Sequence, residues 1–485
     1  MSIPWHLRKL AGLSAASGVL LGGGLATAVT SWLWEGRERA ALADPVSGRP
    51  YPCAVAVDSV LRAVGHTPVV RLKSLSELTG CEVFAKLEGM NPTGSMADRT
   101  AAVVLDHVVR AELHPSSTTS LVAATESKDL AQSLGAMAAA CGRPLNVVMP
   151  RHMFQPHEVG DRSVLGALEA FGVTLERVQA SAPLSDKALL SDPGARVDYH
   201  AQVMNDCLRH AEQSAATRPR DAPGRLFLRV RRLEWAKAEG ASMVADEARR
   251  QLRALGVRRL FAVAVPGSGA LGAAETGRRL ARHSAGATAG GLGDGAGALA
   301  SSFSSALRSD GATAASSPSI DVCLARSVLG KGKRLSAADA AAVGAADAEI
   351  DALLGAAPGP AAAPQPGEHD VEVTPGEVVR MASYLAMHEG ILVGPAGALA
   401  ACAVFRAAKL ARARRDAEHI EAELHPGSMM WELEPTLTTE RPAVLVVLPD
   451  AGHRHIVNGI HDASWCKKAL GIDLDAMRRR GMHFP

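Results

Sequence analysis

Beyond Val64 the chain alternates short apolar runs of strand length with longer stretches in which apolar residues recur every three or four positions. A strand that is apolar along its whole length must be covered on both faces, and a helix between two such strands carries the chain back across the sheet. The alternation therefore predicts an α/β fold of parallel sheets flanked by helices. The strand-like runs are 83–87, 120–123, 145–149, 260–265, 320–324 and 444–448, and the helix-like stretches are 97–110, 131–141, 163–171, 241–255, 375–389 and 397–413. The pattern breaks at 284–319, rich in Ala, Gly and Ser, and at 355–367, rich in Ala and Pro. Neither has enough bulky apolar side chains to offset the entropy of ordering, so both read as low-complexity surface insertions.

The amino-terminal segment follows a different rule. From Leu10 to Trp34 no residue is charged, and about 25 residues rising about 1.5 Å each cover a hydrocarbon core of about 30 Å when helical. Arg8 and Lys9 precede the run, Glu35, Arg37, Glu38 and Arg39 follow it, and Trp5, Trp32 and Trp34 sit where interfacial aromatics belong. The expectation is a single-pass membrane anchor over 1–34 and a linker over 35–59. A cleaved targeting segment is the alternative, though the exit Trp32-Leu33-Trp34-Glu35 is a poor cleavage site. Gly18, Gly22, Gly23 and Gly24 offer a face for close helix packing.

Fifty-two Lys and Arg against fifty Asp and Glu leave a net charge of +2, so no field favours nucleic acid. Seven scattered cysteines without a CxxC pair argue against both a disulfide framework and a zinc site. His453 and His455 form an HxH pair with no third ligand in view, and no metal is expected there. Gly267-Ser268-Gly269-Ala270-Leu271-Gly272 follows the strand-like run 260–265 and opens a helix, so its backbone N–H groups are candidates to hold a phosphate. A dinucleotide site would also need a second strand ending in an acid about 20 residues on, where the Gly/Ala/Ser insertion lies instead.

One ordered series of blocks says more. The stretch from Val64 to Leu72 reads VGHTPVVRL, followed by Ala85-Lys86-Leu87-Glu88 and by NPTGSMADR from Asn91 to Arg99. GALEAFGVTL, VAVPGSGALG, EGILVGPAG and VVLPDAGHRHI come after in that order. The series resembles the cysteine synthases (O-acetylserine sulfhydrylases) and cystathionine beta-synthases, the fold-type II pyridoxal-phosphate enzymes, from about Val60 to about Ile456. The resemblance implies a two-domain α/β architecture over 60–470, with a smaller domain at about 97–200 inserted in the larger, and a tail over 471–485. It also implies a dimer.

Position by position, the resemblance implies a lost site. Ala97 stands where the family has the lysine that forms the Schiff base and moves the substrate proton, and a methyl group can neither condense nor act as a base. Thr125, Glu126, Ser127, Lys128 and Asp129 replace a glycine-rich loop that holds the substrate carboxylate. Two acids now stand where an anion would bind, and Ser127 and Asp129 read as helix N-caps. Lys128 falls at the asparagine position near the cofactor ring and reads as a solvated lysine, a relocated Schiff-base lysine being the alternative. Lys86 reads as a structural or surface lysine. Gly267, Ser268, Gly269 and Ala270 match the phosphate cup, with the last hydroxyl lost at Ala270. Ala396 and Gly397 lie in the block whose serine meets the pyridine nitrogen, with no hydroxyl here.

The expectation is a membrane-anchored, catalytically inactive cysteine synthase-like protein with no bound cofactor and a scaffold or partner-binding role. Its protein partner is not named by the sequence, and anchored relatives suggest the mitochondrial outer membrane. The alternative is a pyridoxal phosphate-dependent cysteine synthase with a lysine recruited from elsewhere.

Overall fold

The computed structural model describes residue 57 and residues 59–111, 119–151, 159–179, 193–217, 225–257, 259–267, 272–286, 320–327, 367–424, 441–456 and 460–480. The chain divides into two units, Met1–Asp58 and Ser59–Pro485, and every element below lies in the second. The anchor expected over 1–34 lies outside the described residues. Among the described residues no helix is long and apolar enough to cross a membrane.

Among the described residues ten strands build two sheets. They are β1 (Val69–Arg71), β2 (Glu82–Leu87), β3 (Ser120–Ala124), β4 (Leu145–Pro150), β5 (Thr174–Val178), β6 (Arg225–Phe227), β7 (Leu260–Pro266), β8 (Asp321–Ser327), β9 (Glu368–Val373) and β10 (Ala443–Leu448). The larger sheet has the order β1-β2-β10-β7-β8-β9 and the smaller β5-β4-β3-β6. All pairings are parallel except that of β1 with β2. Composition sorts the strands within each sheet. β10, with the sequence AVLVVL, is buried at every residue and takes the centre, while β9, EHDVEV, alternates in burial and takes an edge.

The helices of seven residues or more among the described residues are α1 (Lys73–Thr79), α2 (Ala97–Ala111), α3 (Lys128–Ala140), α4 (Val159–Ala170), α5 (Pro193–Ala216), α6 (Val230–Ala254), α7 (Ala273–Gly286), α8 (Pro375–Tyr384), α9 (Pro395–Cys402), α10 (Val404–Leu424) and α11 (Leu474–Arg480). Both sheets are covered on both faces. Residues of α8, α9 and α10 share one apolar cluster with the large sheet, and residues of α6 and α7 share another with its opposite face. The small sheet joins α2 and α3 in a third cluster, and Val203, Cys207 and Ala211 of α5 close its other side.

Several expected boundaries move. The helix expected at 375–389 leaves α geometry after Tyr384 and finishes as a π-turn, Leu385–Glu389, ended by Gly390 at φ 68°. The helix expected at 397–413 divides at Ala403 into α9 and α10. The helix α7 runs through Gly286, three residues into the expected insertion at 284–319. The rest of that insertion, and 355–366, lie outside the described residues. The strands β1, β5, β6 and β9 carry no clean apolar run and escape the periodicity argument.

Candidate active site

The turn before α2 is held from several sides. Asn91 accepts the Gly65 N–H at 2.9 Å, and the Thr93 N–H donates to the Asp98 carboxylate at 2.7 Å. The Met96 N–H donates to the Pro449 carbonyl at 2.7 Å, and Ser95 forms an antiparallel bridge with Asp450. Gly94, at φ 85°, is required here, because a Cβ would lie 2.8 Å from a ring carbon of His453. This bracing sets Ala97 as the first residue of α2. Its N–H donates to the Ser95 hydroxyl at 3.2 Å, and the residue is 2% exposed within the apolar cluster that includes Val64, Ala101, Leu130 and Ala396.

The next strand to deliver residues to this region is β3, which ends at the turn Thr125-Glu126-Ser127. The Ser127 hydroxyl caps α3 by accepting the Leu130 N–H at 3.1 Å, and the Ser127 N–H donates to Thr125 Oγ1 at 3.0 Å. Asp129 is not a cap, contrary to the sequence expectation. It is the second residue of the helix, buried, and its carboxylate accepts the Ser95 hydroxyl at 3.2 Å. Lys128 also departs from expectation: it is 9% exposed rather than solvated, because the start of α3 packs inward against α2. Glu126 is half-buried, and burial pushes its carboxyl up while the Lys237 charge opposes the shift.

Of the expected phosphate cup, Ser268, Gly269 and Ala270 lie outside the described residues. Gly267 is described and is no phosphate donor, since its N–H is given to the Ala325 carbonyl of the neighbouring strand at 2.7 Å. A similar closure meets α9. The Ala396 and Gly397 N–H groups donate to the two oxygens of the buried Asp450 carboxylate, at 3.1 and 2.7 Å. A carboxylate at a helix N-terminus satisfies donors and dipole together. Asp450 comes so close that a Cβ on Gly394 would lie 2.2 Å from Oδ2. The missing hydroxyl at this block is legible in the sequence, whereas the capping role of Asp450 is the part that sequence reasoning misses. An Asp just past a strand, opposite a Gly-Pro-Ala-Gly helix start, is the signal that could have found it.

Lys86, on β2, is the lysine that the sequence leaves open as structural or surface. It is fully buried, and its ammonium donates to the Thr67 carbonyl at 2.5 Å, Glu247 at 3.0 Å and Gln251 at 2.9 Å. Three donors meet three acceptors, so this amine is structural. Arg99 joins the same group, with Nε and Nη2 on Glu88 at 2.7 and 2.9 Å and Nη1 and Nη2 on Glu247 at 2.8 and 2.7 Å. Burial pulls the Lys86 amine down against the charges of Glu88 and Glu247. Burial also lowers Arg99, but hydrogen bonds to Glu247 and the Glu88 charge more than reverse it and hold the guanidinium above its usual range. Burial raises Glu247, yet the Arg99 bonds and the Arg99 and Lys86 charges carry it down to about 2. Two cations and two carboxylates thus neutralise one another away from water, joining β2, α2 and α6.

Parallel sheets whose strands end in loops converging on helix starts are the frame of α/β enzymes that bind small molecules beyond their strand ends. Within that class, this chain belongs to the family described as pyridoxal-phosphate dependent enzyme, whose model matches residues 60–419. It is similar to cysteine synthase B of Salmonella typhimurium, 32% identical over 120 residues, or 24% of this chain and 36% of the relative. It is also similar to a cysteine synthase of Dictyostelium discoideum, 47% identical over 62 residues, covering 13% and 16%. These alignments span about a third or less of the relatives' own length. Among solved structures, O-acetylserine sulfhydrylase isoform 3 from Entamoeba histolytica matches at TM-score 0.49 and 15% identity, covering 84% of this chain and 92% of that one.

Position 97, to which the family resemblance assigns the amine that holds the cofactor named in the family's description, carries a buried methyl group, and Gly267 gives its N–H to a neighbouring strand. Among the described residues no group of three or more His, Cys, Asp or Glu side chains is placed to hold a metal ion.

Proposed function

We propose that this chain is a cysteine synthase-like protein that has lost β-replacement catalysis and works as a binding or scaffold protein. The observation that carries the reading is Ala97, a buried methyl group where the family resemblance requires a lysine. General base work of the kind that lysine performs is worth about 10²- to 10⁴-fold in rate, before loss of the covalent tether is counted. The locked ammonium of Lys86 and the Asp450 cap support the same conclusion, since both are polar groups satisfied within the fold. The charge-free run from Leu10 to Trp34 supports a tether to a membrane, for which the family resemblance favours the mitochondrial outer membrane, and a homodimer is the expected assembly.

The test supplies the purified full chain with O-acetylserine, sulfide and added pyridoxal phosphate and measures cysteine. None is expected. Ala97→Lys alone is expected to leave the protein inactive, because the acidic turn at Glu126 remains and the block at Ala396 and Gly397 still lacks a hydroxyl. Cysteine formed by the unaltered chain would overturn the proposal, and cysteine formed by the single variant would show the rest of the site to be intact. Imaging with and without residues 1–34 checks the tether, with loss of membrane signal expected for the shortened chain.

A further inference from the structure

The outer face of α10 is cationic. Arg406, Lys409 and Arg412 recur every third residue and are exposed, while Ala407, Ala408 and Ala411 of the same turns are buried in the apolar cluster under the large sheet. From Val404 to Arg415 the helix holds five basic residues and no acid, and its acids, Asp416, Glu418, Glu421 and Glu423, all come later. Some cations nearby are taken: Arg414 by Asp321, Arg415 by Asp416 and Arg71 of β1 by Glu82. Among the described residues Arg406, Lys409, Arg412 and the exposed Arg441 before β10 form no ion pair.

The patch extends past the helix. Arg412 Nη1 lies 3.8 Å from where a Cβ on Gly80 would be, at the end of α1, which packs against α10. Burial raises the Cys81 thiol, and the charges of Arg412, Arg415 and Arg441 each oppose that shift, so all three lie near this one turn. Leu78, two residues before Gly80, is 52% exposed. Long basic side chains beside an exposed leucine are the makings of a surface that rests on lipid headgroups.

We infer that this face, built from the first half of α10, the end of α1 and the start of β10, docks on a membrane surface rich in anionic lipid. The inference rests on the tether of the reading above and deepens it. Residues 35–58, 24 in number, can span at most about 80 Å, so a tether brings a bilayer within reach without choosing the face that meets it. Charge makes that choice. Each Lys or Arg near an anionic surface multiplies binding about 5-fold, and the attraction falls away within about 8 Å at physiological salt. Cations must therefore be exposed and unpaired to count, as Arg406, Lys409, Arg412 and Arg441 are. A tethered chain docks intramolecularly, which lets a weak patch suffice. The acids from Asp416 onward confine the contact to the first half of α10.

The test reconstitutes the full chain into vesicles of phosphatidylcholine, alone or with about 30% phosphatidylserine, and acetylates it briefly with uncharged acetic anhydride. Peptide mass reads Lys409 against the exposed Lys467 and Lys468. On anionic vesicles Lys409 is expected to label at least ~5-fold more slowly, relative to those two, than on neutral ones. Salt at about 1 M, where screening acts over about 3 Å, is expected to abolish the difference. The combined variant Arg406→Gln, Arg412→Gln and Arg441→Gln is expected to abolish it too. Equal labelling on both vesicles overturns the inference and leaves the face to an acidic protein partner. Slower labelling on both, growing with protein per vesicle, overturns it in favour of a second copy of this chain. Should the variant fail to fold, the lipid and salt comparisons of the unaltered chain decide. Sedimentation keeps the tether separate: a chain that sediments with neutral vesicles but labels alike on both retains the tether and loses this inference. One that sediments with anionic vesicles alone retains this inference and loses the tether.

Discussion

Glu247→Gln removes one charge from a buried group of four and keeps its shape. The carboxylate accepts from Arg99 twice, from Lys86 and from the His66 N–H, and each of its oxygens is used more than once. Its folded pKa of about 2 against an ordinary 4.5 corresponds to about 3 kcal/mol at about 1.4 kcal/mol per pH unit. Removing one partner of a buried pair, and so leaving excess charge inside, costs about 3–5 kcal/mol by analogy with other proteins, so both routes converge on about 3 kcal/mol. The sign of the pH dependence follows. A carboxylate depressed on folding contributes its full stability above about pH 4.5 and loses it as pH falls toward about 2. Urea unfolding of the full chain at pH 7 should therefore show the variant about 3 kcal/mol less stable, with the gap closing between about pH 4.5 and pH 2. A variant within about 1 kcal/mol of the parent at pH 7, or a gap that does not change with acid, would refute the assignment of this group as the electrostatic lock.

Two further substitutions probe other parts of the frame. Asp450→Ala leaves the Ala396 and Gly397 N–H groups without their acceptor, and a loss of about 2 kcal/mol in unfolding free energy is expected, against no change if the cap is ornamental. His66 is the non-glycine residue at positive φ, 51°, among the described residues, and its side chain is exposed. His66→Gly is expected to raise stability by about 0.5 kcal/mol, read as a higher unfolding temperature, because glycine adopts that backbone without a Cβ clash while the N–H to Glu247 is kept.

Local pattern determined a large part of this protein. An apolar run such as VVLP after Leu445 has few places to go except the centre of a sheet, and Ser127 before a helical stretch offers its hydroxyl wherever the helix packs. That position 97 is alanine is likewise a property of the chain alone, since no packing can supply a nitrogen to a methyl group. Other features depended on partners far away in the chain. Arg99 and Glu247 are 148 residues apart, and Lys86 and Glu247 are 161, so no window of sequence could pair them. Lys128 looks solvated in sequence because lysines at helix starts mostly are. Only the packing of α3 against α2 withdraws it from water. Asp450 reads as a turn residue until the start of α9 is brought under it, and then its carboxylate closes the helix. Backbone conformation is a short-range preference readable from neighbours, whereas burial and charge pairing are set by which surfaces meet, and that was decided by the tertiary structure.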